Sequence, residues 1–417
     1  MILRRFSIFV IFALLFSGAS AQDFKSIDSI INAEIAQNNI AGGVALVYFK
    51  GKPVLDKAYG FADKAALQPM QINSIFRIAS MTKAIVSIAV LQLVDKGLVQ
   101  LDDPIEKYIP TFKNQKVAIL KQNGFDFVEK NRSITIRDLL SHQSGISSAD
   151  EYPKYKNLFI QYGLDQGLNL GFKNLEEEVN QIAAMPLVHQ PGARFSYGLS
   201  TDVLGRLIEI IAHQNLDQFL QINVLKPLDM KDTYFYLPES KKSRLVKTYS
   251  KTIANTLEEV DTVLFPINYP LRKERTYFSA IGGLVSTTHD YANFLNCLLN
   301  NGLSTNGKQI ISKKILIQFW SNQLGDKTFV FGGFPSLNNF GLGVGLTTEK
   351  GQSINNASIG SFFWGGAFNT AYMVDKNRDL ITLFYFQRIP FVLPPLLSKL
   401  EKTTIQIIDQ YNHAGSK

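Results

Sequence analysis

The chain has 417 residues, 46% of them hydrophobic, with 43 Lys plus Arg against 35 Asp plus Glu and a single Cys. That length fits two domains or one large domain with an insertion, and the composition excludes wholesale disorder and collagen-like repeats. One Cys excludes an intramolecular disulfide and a cysteine-cluster metal site, and the formal charge of +8 reads as a Lys excess spread over a surface.

The first segment has the three-part layout of a secretory signal peptide. Arg4 and Arg5 precede an apolar run over residues 6–16, and an Ala-x-Ala pattern ends at Ala21. Cleavage is expected after Ala21, which lowers the formal charge from +8 to +6. The apolar run is about half the roughly 20 residues that span hydrocarbon, so an uncleaved anchor is the weaker reading. No later segment reaches spanning length without charges. The mature protein is therefore expected in the periplasm or secreted, without a stable membrane span.

Residues 24–38 carry apolar side chains at a helical period. Runs at 44–49 and 54–60, around Lys50-Gly51-Lys52-Pro53, predict an antiparallel hairpin. Residues 80–96 predict a strongly apolar helix stopped at Gly97. Further helices are expected over 136–141, 175–184, 201–212 and 216–225. An irregular stretch over 238–277 contains the densest basic run, Lys241, Lys242, Arg244 and Lys247, with no aromatic interleaving or nucleic-acid motif. Cys297 lies in an apolar helical stretch and reads as a buried small hydrophobe. Strand character returns at 340–346, 361–363, 370–374 and 380–386, and a last helix covers 395–411.

Strand-rich ends around a helix-rich middle predict an α+β protein. Its antiparallel sheet is built from both termini, flanked by helices, with a mainly helical domain inserted. The expected division is a signal peptide over 1–21, a discontinuous sheet domain over 22–75 and 270–417, and a helical domain over 76–269. The active site is expected at their interface.

Several machineries are missing from the sequence: His-Glu-x-x-His, a phosphate-binding Gly-x-x-x-x-Gly-Lys-Ser/Thr loop and a Gly-x-Ser-x-Gly elbow. The five histidines, His142, His189, His213, His289 and His413, have no metal-ligand spacing and read as structural or surface residues. No metal or cofactor is expected. The informative segment is Ser80-Met81-Thr82-Lys83, the one Ser-x-x-Lys in the chain. Three residues apart at a helix start, Ser80 and Lys83 share a face. The Ser80 N–H falls among the unpaired donors of the helix N-terminus, where developing negative charge is stabilised. The residues after Lys83 are almost wholly apolar, and an ammonium buried among them loses solvation, the condition under which lysine serves as a base.

Here the chain resembles the serine β-lactamase and penicillin-recognising hydrolases, in particular their class C-like, carboxylesterase branch. Ser80-Met81-Thr82-Lys83 is similar to the family's nucleophile motif. The stretch Pro191-Gly192-Ala193-Arg194-Phe195-Ser196-Tyr197-Gly198-Leu199 and the helix after it are similar to its Tyr-bearing motif. Trp364-Gly365-Gly366 sits where the family usually has Lys-Thr-Gly. Supporting stretches are Leu139-Leu140-Ser141-His142-Gln143-Ser144-Gly145, Gly282-Gly283-Leu284-Val285-Ser286-Thr287 and Leu228-Asp229-Met230-Lys231-Asp232-Thr233. The resemblance implies a β-lactamase/transpeptidase-like fold and an acyl-enzyme on Ser80, with Lys83 and Tyr197 moving its proton. Which of the two is the base stays open. It also implies an oxyanion hole from the backbone N–H groups of Ser80 and Ala367.

Two departures bear on substrate. Leu199 stands where penicillin-recognising enzymes have an Asn that pairs with a substrate amide. Trp364 replaces a cation that faces a substrate carboxylate. Both changes remove polar recognition and leave a more apolar cleft, lined by Trp364, Gly365, Gly366 and Leu199. The expected function is an exported carboxylesterase acting on small or medium acyl esters. The alternatives are a β-lactamase, DD-peptidase or D-amino-acid amidase, and a non-catalytic penicillin-binding-like scaffold. The expected partner is a small-molecule ester or amide, and nucleic acid is not expected.

Overall fold

A computed structural model describes residues 24–165, 171–260 and 269–414. The expected signal peptide lies outside them. The frame is one eight-stranded antiparallel sheet. Its strands are β1 (Gly42–Phe49), β2 (Lys52–Asp63), β3 (Gln68–Pro69), β4 (Asn339–Phe340), β5 (Gly345–Leu346), β6 (Phe362–Gly366), β7 (Thr370–Asp375) and β8 (Leu380–Phe386). Their order across the sheet is β4-β5-β6-β7-β8-β1-β2-β3, so β8 joins the C-terminal strands to the N-terminal ones in one ladder. The sheet is built from both ends of the chain, as the sequence predicts.

Period-2 alternation sends the side chains of each central strand into two different cores. Val44 and Leu46 of β1, Tyr372 and Val374 of β7, and Leu383 and Tyr385 of β8 enter the larger core. Ala45, Val47, Met373, Phe384 and Phe386 enter a second core under helices α1 (Lys25–Ala36) and α6 (Pro394–Ala414). Burial on both faces is why 380–386 reads as an unbroken apolar run. On the larger-core side lies α2 (Thr82–Asp95), buried on every side from Thr82 to Leu93. The larger core also takes in α3 (Leu175–Ala184), α4 (Ser200–Ala212), which packs directly on α2, and α5 (Thr288–Leu299). Cys297 on α5 is buried, and its thiol is pushed up to about 12 by desolvation.

Two expectations are corrected in detail. Residues 340–346 form two short strands, β4 and β5, because the chain bends where it passes α2. Gly343 takes φ +104° there, and a Cβ on it would lie 2.2 Å from Ser87 Oγ. The helix expected over 216–225 is α-helical only over Leu216–Leu220 and continues as a π turn, Gln221–Leu225. The basic run at 241–247 is absorbed by ion pairs: Lys241 and Arg244 with Asp232, Lys242 with Glu239, and Lys247 with Glu259. Among the described residues no helix is long and apolar enough to cross a membrane.

The last helix carries a pH-dependent element. Glu401 is buried, accepts a 2.6 Å hydrogen bond from Asn355 Nδ2, and is pushed by desolvation up to about 7. A carboxyl raised on folding contributes stability below its unfolded value of 4.5, and that contribution is lost as pH rises through 7. Glu401→Gln keeps an acceptor for Asn355 and cannot ionise. Its stability relative to wild type is expected to rise by on the order of 2 kcal/mol between pH 5 and pH 8 in denaturant titrations. A difference that stays flat with pH would refute this.

Candidate active site

Ser80 lies in a 3₁₀ turn, Ala79–Met81, just before α2 rather than as its first residue. Ala79 adopts φ +40°, a costly conformation for a residue with a Cβ, and its neighbours hold it there. Phe76 and Arg77 pair with Ser286 and Val285 in a short ladder. Ile78 N–H donates to Leu284 O at 3.1 Å, Leu284 N–H donates to Thr82 Oγ1 at 3.1 Å, and Tyr291 Oη donates to Met81 O at 2.8 Å. The nucleophile turn is thus fixed on both sides, and Ser80 itself stays partly exposed.

The same ladder brings residue 281 to Lys83. The buried Lys83 Nζ donates to Ile281 O at 2.6 Å and to Ser80 Oγ at 3.2 Å. It also lies 4.7 Å from the centre of the Tyr197 ring. Tyr197 is held by its own backbone: Ser147 Oγ donates to Tyr197 O at 2.9 Å. Gly198 makes that approach possible, since a Cβ there would lie 2.2 Å from the Ser147 carbonyl carbon. The Tyr197 hydroxyl is buried and has no hydrogen-bond partner among the described residues. Ser80, Lys83 and Tyr197, separated by up to 117 positions in sequence, converge on one point. A lysine amine and a phenol around one serine hydroxyl, with one of the two in its basic form, can take up its proton during nucleophilic attack and pass it on.

Strand β6 closes the other side. Its side chains alternate, so Phe362 and Trp364 enter the larger core. Gly366 presses on the nucleophile turn, and a Cβ on it would lie 2.3 Å from Ile78 O and 2.5 Å from Thr370 Oγ1. Ala367 follows directly, half-buried, and neither its N–H nor that of Ser80 donates to a backbone carbonyl among the described residues. Two such donors flanking one serine are what an oxyanion hole needs.

Trp364 is the centre of an aromatic wall. Its ring lies 5.5 Å from Tyr197, 5.6 Å from Phe331, 5.2 Å from Phe340 and 6.1 Å from Phe329. Leu199 is buried and lines a small cavity with Ile146, Ser147, Phe159, Leu164 and Leu187. The phenylalanines at 329, 331 and 340 were not identified from sequence. Phe331 sits in a two-residue strand, Val330–Phe331, too short to leave a pattern. His142, which reads as a structural or surface residue in sequence, has its ring 4.7 Å from that of Tyr197. Burial, aided by the charge of Lys83, holds this imidazole well below its ordinary range and therefore neutral. Its position inside Leu139–Gly145, one of the stretches that carry the resemblance, was the available signal.

The beta-lactamase family model matches residues 27–392. The chain belongs to the beta-lactamase family. Within this family it is 31% identical over 367 residues to protein Rv1367c of Mycobacterium tuberculosis, covering 84% of this chain and 86% of that one. It is 30% identical over 230 residues to esterase EstB of Burkholderia gladioli, covering 54% and 55%. Among solved structures, EstCE1, described as a hydrolase with promiscuous acyltransferase activity, superposes with a TM-score of 0.79 at 21% identity, covering 92% of this chain and all of that one. Simvastatin synthase of Aspergillus terreus superposes with a TM-score of 0.78 at 23% identity, covering 94% and 99%. The fold is the one this beta-lactamase family shares with esterases and acyltransferases.

Proposed function

We propose that this beta-lactamase-family protein is a serine carboxylesterase that hydrolyses small or medium acyl esters through an acyl-enzyme on Ser80. The observation that carries this reading is the wall around Trp364. Tyr197, Phe331, Phe340 and Phe329 pack on the indole, in the position where a carboxylate-binding cation is usual in the resembled enzymes. Such a surface favours apolar acyl groups over an anionic ring or peptide terminus. Lys83 and Tyr197 take the Ser80 proton and return it to the leaving alcohol, while the Ser80 and Ala367 N–H groups receive the oxyanion.

Transfer of the acyl group to an alcohol instead of water is the second reading. The likeness to the Aspergillus terreus monacolin J acid methylbutanoyltransferase, 28% identical over 345 residues, favours it. Both readings share the acyl-Ser80 intermediate. A fluorophosphonate probe is expected to add once per chain, at Ser80, by intact-protein and peptide mass spectrometry. An unmodified Ser80 under conditions that label a control serine hydrolase would remove both readings and favour a scaffold. Ester turnover with and without added alcohol then separates hydrolysis from transfer. We also propose export with cleavage after Ala21, which N-terminal sequencing of the protein from its native host tests.

A further inference from the structure

Behind Lys83 lies a buried acidic pair that the reaction described above does not use. Asp202, in the first turn of α4, and Glu178, on α3, are both fully buried. Asp202 Oδ1 accepts the N–H groups of Ala280 at 2.6 Å and Ile281 at 3.1 Å. Ile281 is the residue whose carbonyl receives Lys83 Nζ. One residue, Ile281, therefore links the Asp202 carboxyl to the ammonium through its N–H on one side and its carbonyl on the other. The other oxygen, Oδ2, meets no donor among the described residues, and the carboxyl of Glu178 interacts with Asp202. Glu178 in turn accepts from Tyr277 Oη at 2.8 Å.

Two interacting buried carboxyls resist ionising together, so a single negative charge on the pair is favoured. We propose that Asp202 is a positioning residue for the reaction at Ser80: its carboxylate, bound to the Ile281 N–H, holds the residue whose carbonyl receives Lys83 and supplies the counter-charge of that ammonium. This rests on the acyl-enzyme reading, since it assigns how Lys83 is held for that step. The ionisable groups facing Asp202 are Lys83 from α2, Glu178 from α3, and Tyr269 and Tyr277 from the segment before β-paired residue 285. Both phenols are driven well above their ordinary range by burial and stay neutral. Lys83 is thus the positive partner among them. Desolvation pushes Asp202 up from the ordinary carboxylate range, opposed by Lys83 and by the two N–H bonds. Removing a buried carboxylate from beside an ammonium makes the ammonium give up its proton at lower pH.

Asp202→Asn keeps an oxygen for the Ala280 and Ile281 N–H groups but removes the charge. The limb of the normalised pH profile of kcat/KM for a p-nitrophenyl ester that depends on Lys83 is expected to move about one unit to lower pH. Glu178→Gln can donate to Asp202 and accept from Tyr277, and is expected to leave that limb in place. An Asp202→Asn profile superposing on wild type, or an equal shift in Glu178→Gln, would overturn the assignment. Lys83→Met provides a readout that needs neither turnover nor a folded Asp202 variant. With its counter-ion gone, Asp202 is raised further, so the stability of Lys83→Met relative to wild type is expected to fall between pH 5 and pH 8. A pH-independent difference overturns the proposal. Failure of the esterase reading looks different: wild-type protein without ester turnover, or Ser80→Ala retaining it, with the Lys83→Met stability result still deciding the role of Asp202.

Discussion

Ser80→Ala is expected to lower ester turnover by roughly 10⁴- to 10⁶-fold, the scale on which nucleophile removal acts in serine hydrolases, with an unchanged circular dichroism spectrum. The fold should tolerate the change because the turn is held by backbone bonds of Ile78 and Leu284 and by Thr82 and Tyr291, none of which involves the Ser80 hydroxyl. Lys83→Ala and Tyr197→Phe should each cost orders of magnitude as well. Their effects should not add to that of Ser80→Ala, because Nζ and the phenol act only on a proton that this variant lacks. The comparison between the two also decides the base. A smaller loss in Tyr197→Phe than in Lys83→Ala assigns the proton to Lys83, and the reverse order assigns it to Tyr197. Wild-type turnover in Ser80→Ala would remove the assignment altogether.

The nucleophile was legible in sequence because its requirement is local: Ser80 and Lys83 are one helical turn apart, and the apolar run after them marks a buried helix. The sheet was legible because β7 and β8 are buried on both faces and β1 and β2 form a hairpin. Its edge was not, because β4 and β5 are two residues each and are separated by a bend at Gly343, where only a glycine fits against Ser87 of α2. Tyr197, Trp364 and the following glycines entered through resemblance; nothing in their local pattern separates them from core aromatics or turn glycines. What escaped depends on contacts across long sequence distances. Asp202 stood inside the motif-bearing helix, but its meaning comes from Ile281, 79 positions away, and from Glu178 on a different helix. Phe331 touches both Trp364 and Tyr197 from a hairpin with no periodicity.

Turnover of simple acyl esters is expected to exceed that of cephalosporins by several orders of magnitude, and Trp364 is the residue on which that ratio turns. A β-lactam carries a carboxylate that must be desolvated in the cleft, and an indole face among Phe329, Phe331 and Phe340 offers it no compensating charge. Trp364→Lys places an ammonium at that point. A charge-assisted contact is worth roughly 1.5–3 kcal/mol, so the cephalosporin-to-ester ratio of kcat/KM should rise on the order of 10- to 100-fold. The surrounding rings can accept a cation by their faces, which moderates the cost of burying it. Leu199→Asn makes a poor companion change in this protein. Leu199 lines a cavity with Ile146, Phe159, Leu164 and Leu187, so an amide there is buried among apolar side chains and should cost stability. The single Trp364 change therefore carries the test, read with a p-nitrophenyl ester series and a chromogenic cephalosporin on the same preparation. Efficient cephalosporin hydrolysis by the unmodified protein, with esters poor, would reverse the substrate assignment: the aromatic wall would then bind the β-lactam by its faces, and the chain would act as a lactamase through the same Ser80.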